Sequence, residues 1–151
     1  PPRSTLFPYT TLFRSNFFSF SYAGGVFSAL PASPVPVSAL AINDAGTIVG
    51  SSTVAPAPER GFILNGTTYT LFSRPGWTNT EARAVSNSGL VTGFSYDTGA
   101  GGTFLNSSGF IYNPVTTTFT DITIPGSVFT IAQGFYISKH VEPEAGEAPR
   151  P

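Results

Sequence analysis

Acidic side chains are the residues of this chain that could do hydrolytic chemistry, and five of them lie between residues 16 and 135. A glycosidase needs two carboxyl groups that face each other across a cleft. Asp44 falls in a predicted hairpin turn, and Glu59-Arg60 is typical of a solvated pair in a Pro-rich loop. Two further acids flank predicted strands without a visible partner. The sequence therefore predicts no paired-carboxylate site and no catalytic residue. The five acids are Asp44, Glu59, Glu81, Asp97 and Asp121, of which Glu81 and Asp121 are the two beside strands.

Nucleophilic and metal chemistry has even less support. The chain has no Cys, its single His is His140 near the end of the sequence, and it has no Gly-x-Ser-x-Gly motif. The run from Asp97 to Gly102 could wrap a calcium ion, since a carboxylate and backbone carbonyls suit that cation. A flexible inserted loop is the favoured interpretation. Trp77 could stack on a sugar ring, although packing is favoured. The sequence predicts no cofactor-binding or metal-binding residue, with calcium as a weak alternative.

The charge content excludes two classes of partner. Charged residues make up 10% of the chain and the net charge is -1. Nucleic acid requires a basic stripe, and an anionic membrane surface requires a polybasic patch. No apolar run of membrane-spanning length occurs. We expect no nucleic-acid partner and no membrane insertion of this segment. The absence of Met leads us to expect a fragment or a processed product of a longer protein.

The elements that would position these side chains belong to an internal repeat. The phrase from Ala41 to Gly50 recurs from Ala84 to Gly93, an offset of 43 residues. Later elements recur at offsets of 48 to 50, because the insertions fall in loops. The paired elements are Gly61-Phe62 with Gly109-Phe110, Tyr69 with Phe119, and Pro75-Gly76 with Pro125-Gly126.

Each repeat unit contains four strand-like runs. In the second unit they cover about residues 82–86, 90–95, 109–113 and 117–122. Asn43-Asp44-Ala45-Gly46 and Asn87-Ser88-Gly89 join the first two runs, because Asn, Asp and Gly tolerate the left-handed conformations that hairpin turns need. We therefore interpret the phrase as a hairpin rather than as a ligand site. It should pair Ala41–Asn43 with Ile48–Gly50 and Ala84–Ser86 with Leu90–Gly93, and it should bury Ile48, Phe62, Val91 and Phe110.

The ends of the chain depart from the repeat. Residues 1–15 are similar to the conceptual translation of a sequencing adapter, so we exclude them from the fold prediction. The alternative is a native strand pair at residues 5–7 and 11–13. Residues 16–37 form a partial unit with its linker, residues 38–81 the first full unit and residues 82–135 the second. Residues 136–151 break the pattern and are interpreted as an unstructured or out-of-frame tail.

Four short strands in 40 to 50 residues are the size of a β-propeller blade. The sequence therefore predicts an all-β fold of antiparallel four-stranded meanders, arranged as the blades of an incomplete propeller. A β-sandwich is the alternative. Each unit must bury two apolar faces against neighbours, so we expect the parent protein to carry further units.

The units resemble the HAF family of extracellular bacterial repeats. The resemblance rests on Ile42-Asn43, on Ile48-Val49-Gly50, and on the Gly-Phe, aromatic and Pro-Gly elements above, and it covers about residues 38–135. The second copy departs from the pattern, with Val85-Ser86 in place of Ile-Asn. The resemblance implies a secreted or surface-displayed protein, and it carries no established catalytic residue that could be transferred.

These observations favour a non-enzymatic, secreted or cell-surface repeat module that acts as a structural, adhesive or ligand-binding scaffold. Its partner would be a surface polysaccharide or a protein. The alternative is a fragment of a propeller enzyme that acts on polysaccharide, with catalytic residues outside this segment.

Overall fold

The computed structural model describes residues 5–9, 18–23, 25–53 and 57–135. These residues form eleven β-strands and one short 3-10 turn at Ala100–Gly102, and they contain no α-helix. Every strand pairing is antiparallel, so the prediction of an antiparallel all-β fold is confirmed. The strands are β1 (Thr5–Tyr9), β2 (Phe18–Ala23), β3 (Val26–Ala29), β4 (Ser38–Ile42), β5 (Ile48–Ser52), β6 (Arg60–Asn65), β7 (Thr68–Phe72), β8 (Asn79–Val85), β9 (Val91–Thr98), β10 (Phe104–Asn113) and β11 (Thr118–Ile122).

The strands form three sheets in which each strand pairs with its neighbours in sequence. The first sheet has the order β1-β2-β3, the second β4-β5-β6-β7 and the third β8-β9-β10-β11. The second and third sheets are the two four-stranded meanders that the repeat predicts. In the described residues the sheets do not close into a barrel, and their packing is compatible with a β-sandwich.

The repeated phrase forms a hairpin in both full units. Ala41 pairs with Val49 and Ala84 with Thr92, as predicted. Gly46 and Gly89 close the two turns at φ of 81° and 84°, a conformation that a side chain would strain. The pattern of apolar strand, polar turn and Gly is therefore explained by turn geometry.

A bulge in the first strand of each full unit explains the glycine that ends the phrase. The register shifts between Ala39 and Ala41 in β4, and between Ala82 and Ala84 in β8. A Cβ atom on Gly93 would lie 2.0 Å from the carbonyl oxygen of Glu81, and the same contact at Gly50 would be 1.9 Å. The backbones approach too closely at these points for any other residue.

Two apolar cores cover the two faces of the second sheet. The core between the second and third sheets includes a stacked ring pair, Phe72 with Tyr112, at a centroid distance of 4.5 Å. The other core packs on the segment that joins the first and second sheets. The predicted burial of Ile48, Phe62, Val91 and Phe110 is confirmed. The first core comprises Val49, Ile63, Phe72, Ala82, Val91, Phe110 and Tyr112, and the second Ala39, Ile48, Phe62 and Leu64.

The ends of the chain are described only in part. Residues 5–9 of the segment that resembles adapter sequence form β1, which pairs with β2 over five residues. Residues 11–13, the other half of the alternative strand pair, lie outside the described residues. The predicted tail at residues 136–151 also lies outside them.

We expect Gly93→Ala to destabilise the protein by about 1–3 kcal/mol, because the new methyl group must displace the backbone of β8. Gly134→Ala is the matched control, since a Cβ atom there meets nothing within 4 Å. Urea denaturation of both variants would measure the effect. Equal stabilities for the two variants would contradict the close approach.

Candidate functional site

The equivalent ends of β4 and β8, the first strands of the two full units, meet around one groove of about 510 Å³. Asn43 and Asp44 line it from the first full unit, and Ser86 and Asn87 line it from the second. Residues 134–135, at the position of a third such strand, complete the lining. The repeated phrase therefore places its polar turns side by side, which the sequence pattern of a single unit does not indicate.

Hydrogen bonds join the two turns directly across this groove. Asn43 Nδ2 donates to the carbonyl oxygen of Ser86 at 2.9 Å. The backbone amide of Asp44 donates to Asn87 Oδ1 at 3.1 Å, and Asn87 Nδ2 donates back to Asp44 Oδ2 at 2.7 Å. Since Asn43 and Ser86 hold the same place in the repeat, as do Asp44 and Asn87, each bond links one unit to the next. We call these four residues the turn ladder.

The same side chains also hold the turns in shape. Asn43 Oδ1 accepts the backbone amide of Thr47 at 2.9 Å, and Ser86 Oγ accepts that of Leu90 at 3.0 Å. Asn43 is buried, with 7% of its surface exposed. The turn-forming interpretation is therefore confirmed, and the bonds between units are the additional role that sequence reasoning missed.

A second contact between units also recurs. The backbone amide of Thr80 donates to the carbonyl oxygen of Glu59 at 3.0 Å, and that of Thr130 donates to the carbonyl oxygen of Ser107 at 3.1 Å. The Pro-Gly turns that precede Thr80 and Thr130 match as well, with Gly76 and Gly126 at φ of 83° and 82°. The chain after the third sheet thus follows the course of the chain after the second sheet.

Glu59 and Glu81 have partners that the sequence does not reveal. Tyr96 donates its hydroxyl to Glu59 Oε2 at 2.5 Å, so the interpretation of Glu59-Arg60 as a solvated pair is wrong. Glu81 Oε1 lies 2.8 Å from Arg83 Nε, so the expectation of no partner is also wrong. Arg83 is the residue at the β8 bulge, and strand alternation alone would have placed it elsewhere.

The surroundings of these carboxylates raise the pKa values of Glu81 and Tyr96. Burial, and then the negative charge of Glu59, raise the pKa of Glu81 to about 7, although Arg83 opposes the shift. Burial and the hydrogen bond to Glu59 raise the pKa of Tyr96. Glu59 borders a depression of about 190 Å³, and Glu81 is not among its lining residues. The lining of this depression therefore includes one carboxylate, whereas a glycosidase requires two that face one cleft.

The remaining acids also serve the structure. Asp121 Oδ1 lies 2.6 Å from Arg74 Nη2, which contradicts the expectation that Asp121 lacks a partner. Arg74 is buried, donates to the carbonyl oxygen of Ser108 and lies over the ring of Trp77 at 5.2 Å. Trp77 therefore packs on a cation, in line with the favoured interpretation.

Asp97, the candidate calcium ligand, is already engaged. Its Oδ1 accepts both the backbone amide and the hydroxyl of Thr78 at 2.9 Å, and these bonds lower the pKa of Asp97. The following loop closes on itself through the bond from the Gly99 amide to the Thr103 carbonyl oxygen, at 2.8 Å. The described residues contain no group of three His, Cys, Asp or Glu side chains that could hold a metal ion. Calcium binding stays a prediction.

Comparison with family models, curated proteins and solved structures gives no match to this chain. In the part of the chain that the structure describes, we find no helix with the length and apolar character to cross a membrane.

The raised pKa of Glu81 predicts a specific dependence of stability on pH. The folded state keeps a proton that the unfolded chain releases above its ordinary pKa of 4.5. The contribution of Glu81 to the free energy of unfolding should therefore be largest below about pH 4.5, fall as the pH rises through 7 and level off beyond, a loss of at most about 3 kcal/mol. Glu81→Gln should flatten this slope in urea denaturation from pH 5 to 8.

Asp97→Asn is the control for this experiment, because the pKa of Asp97 is lowered rather than raised. It should affect only the acidic end and leave the slope between pH 5 and 8 in place. A slope that persists in Glu81→Gln would contradict the assignment.

Proposed function

We propose that this chain is a non-enzymatic repeat module, a scaffold whose units are wound around a common axis like the blades of a β-propeller. The turn ladder is the observation that carries the proposal. It joins equivalent residues of successive units, and equivalent strand ends converge on one groove. In a propeller the innermost strand of every blade lines a central channel, and this is the arrangement that such convergence favours over a β-sandwich.

The use of charge supports a scaffold rather than an enzyme. Each of the five acidic side chains in the described residues has a partner within the protein: Asp44 with Asn87, Glu59 with Tyr96, Glu81 with Arg83, Asp97 with Thr78 and Asp121 with Arg74. A catalytic carboxylate must instead face substrate and tune its pKa to that task. The polar groups of this segment hold strands, turns and units together.

The proposed location is extracellular or at the cell surface, and the proposed partner class is a surface polysaccharide or protein. The support is the resemblance of residues 38–135 to HAF repeats. The lining of the groove at the turn ladder carries the amide groups of Asn43 and Asn87, the hydroxyl of Ser86 and one carboxylate, that of Asp44. All these groups can form hydrogen bonds with hydroxyl-rich ligands, so a polysaccharide chain is the partner to test first.

A second candidate function is that of a segment from a propeller enzyme that acts on polysaccharide, whose catalytic residues lie outside this segment. One observation favours a form of this function in which a catalytic group also lies within the segment: the pKa of Glu81, raised to about 7 by burial and by the charge of Glu59, is that of a general acid. Glu59 is the one carboxylate in the lining of the depression beside it, which argues against a paired-carboxylate site there.

A panel of soluble polysaccharides separates the two functions. We expect retention of the protein on one or more immobilised polysaccharides, with no release of reducing ends. Retention should weaken when the turn ladder is changed by Asn87→Ala and should survive Glu81→Gln. Hydrolysis by the wild-type chain that Glu81→Gln abolishes would overturn the scaffold proposal in favour of the enzyme.

A double-mutant cycle tests whether the turn ladder couples the units. Asp44→Ala and Asn87→Ala should each lower the free energy of unfolding by about 0.5–1.5 kcal/mol, because both remove the hydrogen bond from Asn87 Nδ2 to Asp44 Oδ2; Asn87→Ala also removes the acceptor of the backbone amide of Asp44. Their combination should cost less than the sum by about 0.5 kcal/mol or more. Asn113 forms a turn within one unit, so Asp44→Ala and Asn113→Ala should be additive. Additivity of Asp44→Ala with Asn87→Ala would contradict the coupling.

A further inference from the structure

We propose that the depression beside Glu59 binds the ammonium end of a lysine side chain from a partner protein. The depression has a volume of about 190 Å³. Its lining residues belong to the first full unit and to the linker before it, and none of them is part of the turn ladder. This inference therefore goes beyond the scaffold function and does not depend on it. The lining residues are Pro36, Val37, Ser38, Ser51, Thr53 and Glu59.

The depression lies on the face of the second sheet that packs on the third sheet. Val49 of β5 belongs to the core between these two sheets. Ser51 is two residues further along β5, so its side chain points to the same face. Ser38 pairs with Ser51 across β4 and β5, which places the side chain of Ser38 on that face as well. Two serine hydroxyls therefore meet at the end of this face.

Ser51 presents a buried hydroxyl that is available to a ligand. Its exposed fraction is 6%, and it nevertheless lines the depression. Within the part of the chain that the structure describes, the side chain of Ser51 forms no hydrogen bond. Its Oγ atom can therefore accept a hydrogen bond from a group that enters the depression.

The carboxylate of Glu59 has hydroxyl partners but no cation. It accepts the hydroxyl of Tyr96 at 2.5 Å and, over a longer distance of 3.4 Å, that of Thr53. The ion pairs found among the described residues involve two other acids, Glu81 and Asp121. The depression therefore offers a negative charge that no described side chain neutralises by an ion pair.

The second unit fills the equivalent place from within the chain. At the repeat offset of 43 residues, Phe94 stands where the first unit has Ser51, and Arg83 stands where it has Leu40. The Arg83 guanidinium lies 5.3 Å from the centre of the Phe94 ring, and its Nε lies 2.8 Å from Glu81. The second unit thus supplies its own ring and its own cation. The first unit has a serine and a leucine at these positions, and it keeps an open depression with an acid beside it.

An alkylammonium group matches both the polar and the apolar parts of the lining. It has three donors and no acceptor, and the depression offers a carboxylate and hydroxyl oxygens as acceptors. Pro36 and Val37 provide apolar surface for the methylene groups of a lysine stem. The volume is below the roughly 300–1,000 Å³ of pockets that bury a whole small molecule, so the depression suits the tip of a side chain.

Titration of the full chain with n-butylammonium at constant ionic strength, followed by NMR, tests the proposal. We expect saturable shifts of the backbone amides of Ser51, Thr53 and Glu59. The neutral analogue n-butanol should cause none, because it lacks the charge that Glu59 attracts. Glucosamine, which carries its ammonium on a hydroxyl-rich ring, should bind more weakly than n-butylammonium.

Substitutions locate the site. Glu59→Gln should weaken binding of n-butylammonium by about tenfold or more, because it removes the charge and keeps an acceptor for Tyr96. Ser51→Phe should abolish binding, since it fills the depression with the residue that the second unit has there. Asp97→Asn is the matched control: it removes one negative charge outside the depression and should bind as the wild type does.

A spectrum with the dispersion of the wild type would show that each variant folds. Should Ser51→Phe fail to fold, Glu59→Gln and Asp97→Asn still decide the question. The absence of saturable shifts with n-butylammonium, an unchanged affinity in Glu59→Gln, or tighter binding of glucosamine would overturn the proposal.

Discussion

A four-stranded sheet with apolar residues on both faces cannot keep both faces from water by itself, and the rest of the structure depends on this constraint. The second sheet has both faces covered. Its β5 is buried along its whole length, and each of the two cores also contains residues from outside the second sheet. The outer sheets meet this constraint on one face only. Stability in such a molecule therefore belongs to the contacts between sheets rather than to any sheet alone.

Polar contacts fix the relative orientation of the sheets. Apolar contacts are not directional and determine this orientation less strictly. Arg74 follows β7 in the first full unit and contacts Asp121 and the backbone of β10 in the second. The turn ladder joins the same two units at the turns that follow β4 and β8. Each of the five carboxylates in the described residues has such a partner within the protein, so acids that resemble candidate catalytic groups in the sequence take part in structural contacts.

Sequence patterns predict what is local or periodic, and here they succeed for the strands, the hairpins and the buried Phe62 and Phe110. The partners of the acids could not be predicted, because they come from other units: Tyr96 lies 37 residues from Glu59, and Asp121 lies 47 residues from Arg74. The bulge at Arg83 breaks the two-residue alternation on which side-chain direction is judged from sequence. Membership of the HAF repeat family and the closure of the units into a propeller stay proposals.

The close approach at Gly50 and Gly93 has a consequence for how duplicated units diverge. The residues that supply the opposing carbonyl oxygens differ, Ser38 in one unit and Glu81 in the other, yet the glycine is the same. If the opposing atom belonged to a side chain, a smaller side chain there could make room for a larger residue in place of the glycine. Here the opposing atom is a backbone carbonyl oxygen, which every residue type has, so no substitution of the opposing residue can make room. Every missense change of a glycine codon adds a Cβ atom, so we expect substitutions at these two positions to be selected against. The glycine should remain recognisable in ancient copies after the rest of the phrase has been lost.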